Sequence, residues 1–279
     1  MRSSSADSQV RLRGAKRRSL LGGLWSSSGR LFALLARDLK ARYAGSAIGS
    51  GWNLLRPLLQ VGAYYFAFGI VLAARQGREI GDSEYPLYLL SGLVPWLCYL
   101  ESATKGSGSL VRGAGLIKKV RLPLEVLTAK EVLAPAVTYG PFVLLLWLLS
   151  GAAAVSPASV LVLVPWFAAQ VMFTWYLVHA VAILTAVLRD IGQAFNVLVA
   201  MTIFVSPVLF PFELVPPAFQ PILYANPMTP FVEGYHRLVL SGSLPHANDA
   251  LLAGAWLTAA WLLARVLHGR AHGRLVDWL

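Results

Sequence analysis

VLAPAVTYGPFVLLLWLLS (132–150) and, after a short link, SVLVLVPWFAAQVMFTWYLVHAVAILTAVL (159–188) decide the fold class. Each approaches or exceeds the ~20 residues that an α-helix needs to cross ~30 Å of hydrocarbon. Working outward, apolar runs at 54–74 and 85–105 precede this pair, and runs at 194–210 and 250–267 follow it. The pattern predicts an all-α membrane protein of six spans. The short alternating segments of a membrane β-barrel are absent.

Composition agrees. The 279 residues are 57% hydrophobic and 13% charged, about half the charged share of a soluble domain. The mean hydropathy is +0.61. The net charge of +11 would suggest nucleic acid in a soluble protein, but here the charge sorts by loop. Of 24 Lys and Arg, 20 lie in the N-terminal tail, the loop between spans two and three, the turn between spans four and five, and the C-terminal tail. Three, Arg75, Arg78 and Arg237, lie in the other loops, and Arg56 edges the first span. The bias predicts that both termini are cytoplasmic.

Residues 1–19 read as a disordered, basic N-terminal tail with no apolar core of a removable signal peptide. Residues 20–279 read as one transmembrane domain. Between 20 and 43, Leu24, Leu31, Leu35 and Leu39 share a helical face while Arg30, Arg37, Lys40 and Arg42 lie largely off it. With Trp25 at headgroup level, this predicts an amphipathic helix in the membrane surface. A solvated helix against a soluble partner is the other reading. Between spans five and six the chain is rich in proline, and its apolar pieces are too short to span, so re-entrant or interfacial helices are expected there.

Chemistry-bearing motifs are few. No Walker phosphate loop occurs, so the chain is not expected to hydrolyse ATP. The lone Cys98 lies in an apolar run, which leaves no intrachain disulfide. His268 and His272 are four apart but sit among arginines, and His179 reads as a satisfied core histidine. Glu101 and Lys105 are spaced to pair across one helical turn, and no carboxylate lies near a bilayer midplane, which argues against an ion-coupled carrier. The loop GSGSLVRGAGLIKKVRLPLEVLTAKE (106–131) is basic and offers Leu116, Ile117 and Leu122 to a partner. Pro123 is expected to open a short helix with Glu125 at its positive end. Docking and lipid-headgroup anchoring are equal readings of this loop from physics alone. Aromatic clusters at Tyr64, Tyr65, Phe66 and Phe68, and at Phe195, Phe204 and Phe210, could stack on sugar rings or simply pack.

Four regions in order then resemble a known family: RDLKARYAGSAIGSGW (37–52), LIKKVRLPLEV (116–126), LRDIGQAFNV (188–197), and SPVLFPFELVPP (206–217) with ANPMTPFVEGYHRLVLSG (225–242). They resemble type-2 ABC transporter permeases, most closely the subgroup that exports O-antigen, capsule and teichoic-acid polymers. The resemblance runs over about residues 30–267 and implies several roles. A separate ATPase, carrying ATP and magnesium, would dock on a coupling segment of Leu116, Lys118, Lys119, Arg121, Leu122, Pro123 and Glu125. The permease, with no cofactor of its own, would form a homodimer around a glycan channel. Tyr64, Tyr65, Phe68, Phe195 and Phe204 are candidates for its lining. Arg37, Arg42 and Arg56 would meet a lipid phosphate at the entrance, and Phe212, Pro216, Asn226, Pro227 and Arg237 would form an outer gate. His236 stands where the family often has tyrosine, so of that pair only Arg237 carries over. The expected localisation is the bacterial plasma (inner) membrane. A drug or lipid exporter, a membrane enzyme acting on lipid-linked sugars, and a scaffold without transport are the rival readings.

Overall fold

A computed structural model describes residues 20–41, 46, 48–72, 84–120, 122–151 and 156–271. Every regular element among them is a helix. In chain order these are α1 (Leu20–Ser26), α2 (Ser28–Ala41), α3 (Trp52–Tyr64, continued by a π-helical stretch Tyr65–Leu72) and α4 (Glu84–Ser107). Next come α5 (Ser109–Arg112), α6 (Ala114–Val120), α7 (Leu124–Leu149) and α8 (Val160–Val187). The last are α9 (Arg189–Met201), α10 (Gln220–Ala225), α11 (Thr229–Leu240) and α12 (Ala247–Ala271).

Three helical stretches, Leu124–Leu149, Pro157–Val187 and Ala247–Ala271, are long and apolar enough to cross a membrane. They include the two runs that opened the sequence reading. α4 has 24 residues, but Ser91, Gly92, Glu101 and Ser102 dilute its apolar character. Its position explains this. α4 packs against α7, α8, α9 and α11, and every residue from 91 to 99 is buried. A helix enclosed by protein can carry hydroxyls that a lipid-facing helix could not satisfy.

Lipid offers no hydrophobic drive for helix association, so close packing and interhelical hydrogen bonds must hold the bundle. Both are present. A Cβ on Gly106 of α4 would lie 2.2 Å from Val178 Cγ1 of α8, so glycine alone permits this approach. Gln170 of α8, 1% exposed, donates to Pro95 O of α4 at 2.8 Å. Its carbonyl accepts the Tyr235 hydroxyl of α11 at 2.6 Å. One amide thereby ties three helices.

The structure differs from the sequence reading in three places. α7 begins at Leu124, eight residues before the expected start of the third span, so Pro123 opens that long helix and not a short one. The short helix of the loop is α6, ahead of the proline. The fifth run leaves the α-helix at Met201, makes a 3₁₀ turn over Thr202–Val205 and is irregular from 206. The N-terminal helix is broken at Ser27. Its apolar face is already occupied, since Leu20, Leu31 and Leu35 are buried and both pieces pack on α7. Trp25 and Phe32 remain exposed. Residues 1–19, Arg75, Arg78, His272 and Arg274 lie outside the described residues.

Candidate functional site

Two regions at opposite ends of the bundle carry the residues singled out from the sequence. The first joins α4 to α7. Here Ile117 and Leu122 are buried and anchor the segment, Leu116 is half-buried, and Lys118 and Lys119 are exposed on α6. Arg121 lies outside the described residues. Pro123 takes φ −59° and ψ 140°, an extended geometry from which the helix starts. Glu125, in the first turn of α7 where the helix dipole favours a carboxylate, is buried and faces α1. A Cβ on Gly23 would fall 1.8 Å from Glu125 Oε1, so a larger residue there would make this carboxylate swing aside. One turn further, Lys130 Nζ meets Asp38 of α2 at 2.6 Å and Glu131 at 3.2 Å. This loop is therefore linked to the N-terminal helices through the first two turns of α7.

Behind this region lies a buried polar network. Thr128 Oγ1 lies 2.9 Å from His179 Nδ1 and accepts the Trp175 indole N–H at 3.2 Å. His179 Nε2 lies 3.1 Å from His268 Nδ1. His179 is thus a hydrogen-bonded core histidine. His268, read as part of a basic tail, is instead buried and joins α12 to α8. Glu101 and Lys105 form the expected ion pair.

The second region is the irregular chain between α9 and α12. Backbone that leaves the helix near a bilayer must find partners within the protein, and here side chains of α4, of α11 and of Asn226 just after α10 supply them. Tyr85 donates to Leu209 O at 2.8 Å. The one Tyr88 hydroxyl hydrogen is shared between Pro207 O at 2.6 Å and Phe210 O at 3.0 Å. Asn226, buried at 6% exposure, donates through its single amide nitrogen to Thr202 O at 3.0 Å and Val205 O at 2.9 Å. Its oxygen accepts the Met228 N–H at 3.0 Å.

His236 completes the clamp. Its ring stacks on Tyr88 with centroids 3.9 Å apart, and its Nε2 lies 2.9 Å from Pro207 O. A carbonyl only accepts, so Nε2 carries the proton; Nδ1 lies 2.8 Å from Ser91 Oγ, whose one hydrogen is also within 2.8 Å reach of Tyr88 O. Burial pushes the imidazole down to about 4, which keeps this neutral form at ordinary pH. The resemblance gave His236 no role. The signal available was a histidine within the otherwise apolar face of the α11 sequence, with Tyr85 and Tyr88 at spacing that shares one face of α4.

Of the other expected gate residues, Phe212 packs on Tyr224 at 5.0 Å, Pro216 is exposed and Pro227 half-buried. Arg237 donates to Leu244 O at 2.8 Å and lies 2.6 Å from His246 Nε2, which fixes the turn into α12. Beside it, Glu233 is pushed up to about 7 by burial, then by the Asp249 and Glu213 carboxylates, against the pull of Arg237. A raised carboxyl pKa means that the folded state holds its proton longer than the unfolded chain does. Stability from this group is therefore fully present below about 4.5 and falls as pH rises towards 7. Glu233→Gln is expected to flatten that part of the thermal-stability profile and to raise the midpoint at pH 8. An unchanged profile would remove Glu233 as its source.

The remaining candidates are spread out. Tyr64 and Phe68 stack at 6.2 Å and pack on the core, as does Phe195. Tyr65 and Phe204 are exposed. α3 and α9 each lean on α4. Arg37 and Arg56 are exposed, on α2 and α3. Arg42 lies outside the described residues.

The bundle thus has one basic end and one clamped, irregular end, joined by helices long and apolar enough to cross a membrane. Residues 29–240 match the ABC-2 type transporter family, and the chain belongs to it. It is 28% identical to the O-antigen export system permease protein RfbA of Myxococcus xanthus, over 90% of this chain and 96% of that one. It is also 28% identical to a protein of the same name from Klebsiella pneumoniae, over 80% of this chain and 86% of that one. The polysialic acid transport protein KpsM of Escherichia coli is 21% identical over 75% of this chain and 81% of its own length.

Proposed function

We propose that this chain is the permease of an ATP-driven exporter that moves a lipid-linked polysaccharide across the bacterial plasma membrane. The observation that carries this is the near end-to-end alignment with a permease named for O-antigen export, joined by a relative named for transport of a second glycan polymer, polysialic acid. The lipid link is what the family resemblance implies, and the exposed Arg37 and Arg56 suit its phosphate.

In this reading the chain spans the membrane six times, with both termini cytoplasmic and α1–α2 at the membrane surface. The basic loops support that orientation. Two copies enclose the glycan route, and a separate ATPase docks on Lys118, Lys119 and Arg121, with ATP and magnesium in that subunit. Closure of the ATPase pushes α6 and the start of α7. The buried Glu125 and the Lys130–Asp38 pair pass the displacement to α1 and α2 at the entrance. At the far side α10, α11 and the 3₁₀ turn at Phe212–Leu214 form the gate, held shut through Asn226, His236 and Tyr88. Aromatic faces at Tyr64, Tyr65, Phe68, Phe195 and Phe204 give a sliding polymer weak contacts that it can leave.

Deleting the gene and labelling surface glycan tests this. The expected result is a surface stripped of one polymer, with its lipid-linked form retained on the cytoplasmic side. An unchanged surface with no internal accumulation would assign the permease to another substrate.

A further inference from the structure

Among the described residues, α8 and α12 are two of the three helices long and apolar enough to span, and they pack along each other without closing. Between them lies an open groove of about 240 Å³ walled by Met172, Tyr176, Leu257, Thr258 and Trp261. Its one aliphatic hydroxyl is already committed, since Thr258 Oγ1 donates to Gly254 O at 2.7 Å. The groove therefore presents mainly hydrocarbon and aromatic surface.

At one end of the groove stands a cation. The Arg265 guanidinium carbon lies 5.3 Å from the centroid of the Trp261 ring, and the side chain is exposed. Among the described residues Arg265 has no acidic partner. Its neighbours on the helix, Leu262, Leu263 and Val266, are exposed apolar side chains. Arg265 precedes the end of α12 by six residues, about 9 Å along a helix, so its head reaches towards the headgroup level while its stem lies against hydrocarbon. A cation there calls for a counter-anion.

We infer that this face holds a resident anionic phospholipid, with one acyl chain in the groove and its phosphate on Arg265 beside the Trp261 indole. Apolar wall, aromatic ring and guanidinium follow one another along α12 in the order of chain, glycerol and phosphate in a lipid. The inference requires only that α8 and α12 lie in a bilayer and is independent of what the permease exports.

The test uses the full-length protein in nanodiscs of equal phosphatidylglycerol and phosphatidylethanolamine, released into native mass spectrometry. A photoactivatable phosphatidylglycerol maps the contact. The expected result is a preference of about fivefold for the anionic lipid, the size of one basic side chain at an anionic surface, with cross-links in α8 and α12 around the groove. Arg265→Gln should abolish the preference, Arg265→Lys should keep it, and Thr258→Trp should remove the cross-links by filling the groove. An equal yield of both lipids, or an undiminished preference in Arg265→Gln, overturns the assignment. So does a retained lipid-linked sugar in place of phospholipid, or a changed oligomeric mass in Thr258→Trp, which would make this face a protein interface.

Discussion

Asn226→Asp is expected to collapse the outer segment although it changes only one group of the side chain. The Asn226 amide nitrogen serves two buried carbonyls, Thr202 O and Val205 O. An ionised aspartate would turn an oxygen towards both, and a protonated one has a single hydrogen for two acceptors. Each buried group left unpaired costs about 1–3 kcal/mol. The pair should therefore lose roughly 3 kcal/mol or more, placing this among the strongest single substitutions. Thermal unfolding of the purified protein should show a midpoint lowered by roughly 10 °C, with export lost. The exposed Asn248 supplies the control, since Asn248→Asp should leave both unchanged. If Asn226→Asp unfolds with the wild type, the carbonyls of the fifth run are held by something other than this amide.

The second large effect is expected at the opposite end. Reversing Lys118, Lys119 and Arg121 to glutamate places like charge against whatever acidic surface the ATPase presents, and such juxtaposition costs several kcal/mol. Lys118 and Lys119 are exposed and take no part in the ion pairs at Glu101 or Lys130, so the bundle should still insert and fold. Export should fall by roughly a hundredfold, the factor that a few kcal/mol represents. ATPase copurification should fall with it. Normal export with normal insertion would withdraw the docking segment from these residues.

Much of the bundle was legible because hydropathy acts over whole helices. The three clearest spans coincide with runs read directly from the sequence, and Glu101 with Lys105 followed from helical spacing. The start of α7 was hidden. Residues 124–131 carry Glu125, Lys130 and Glu131, a density of charge that reads as loop until tertiary partners are known. Those partners, Gly23 and Asp38, lie about a hundred residues away in the chain. The break in the fifth run was hidden for a related reason. Its apolar composition continues to Phe210, while the hydrogen bonds that release it from helical geometry come from Tyr85, Tyr88, Asn226 and His236 on other elements. Asn226 was reached through family resemblance. His236 was set aside by the same resemblance, although its burial and two polar contacts place it at the centre of the clamp.

Carriage of a lipid-linked glycan across a membrane, on energy supplied by another subunit, is the function proposed for this chain. The most direct measurement reconstitutes the purified permease with its copurified ATPase in proteoliposomes and follows radiolabelled lipid-linked glycan into the lumen, with and without ATP. Glycan is expected to become protected from external glycosidase only when ATP and both subunits are present, and the triple charge reversal is expected to abolish this protection. Glycan that becomes protected without ATP, or ATP hydrolysis that never moves glycan, would contradict the proposed function.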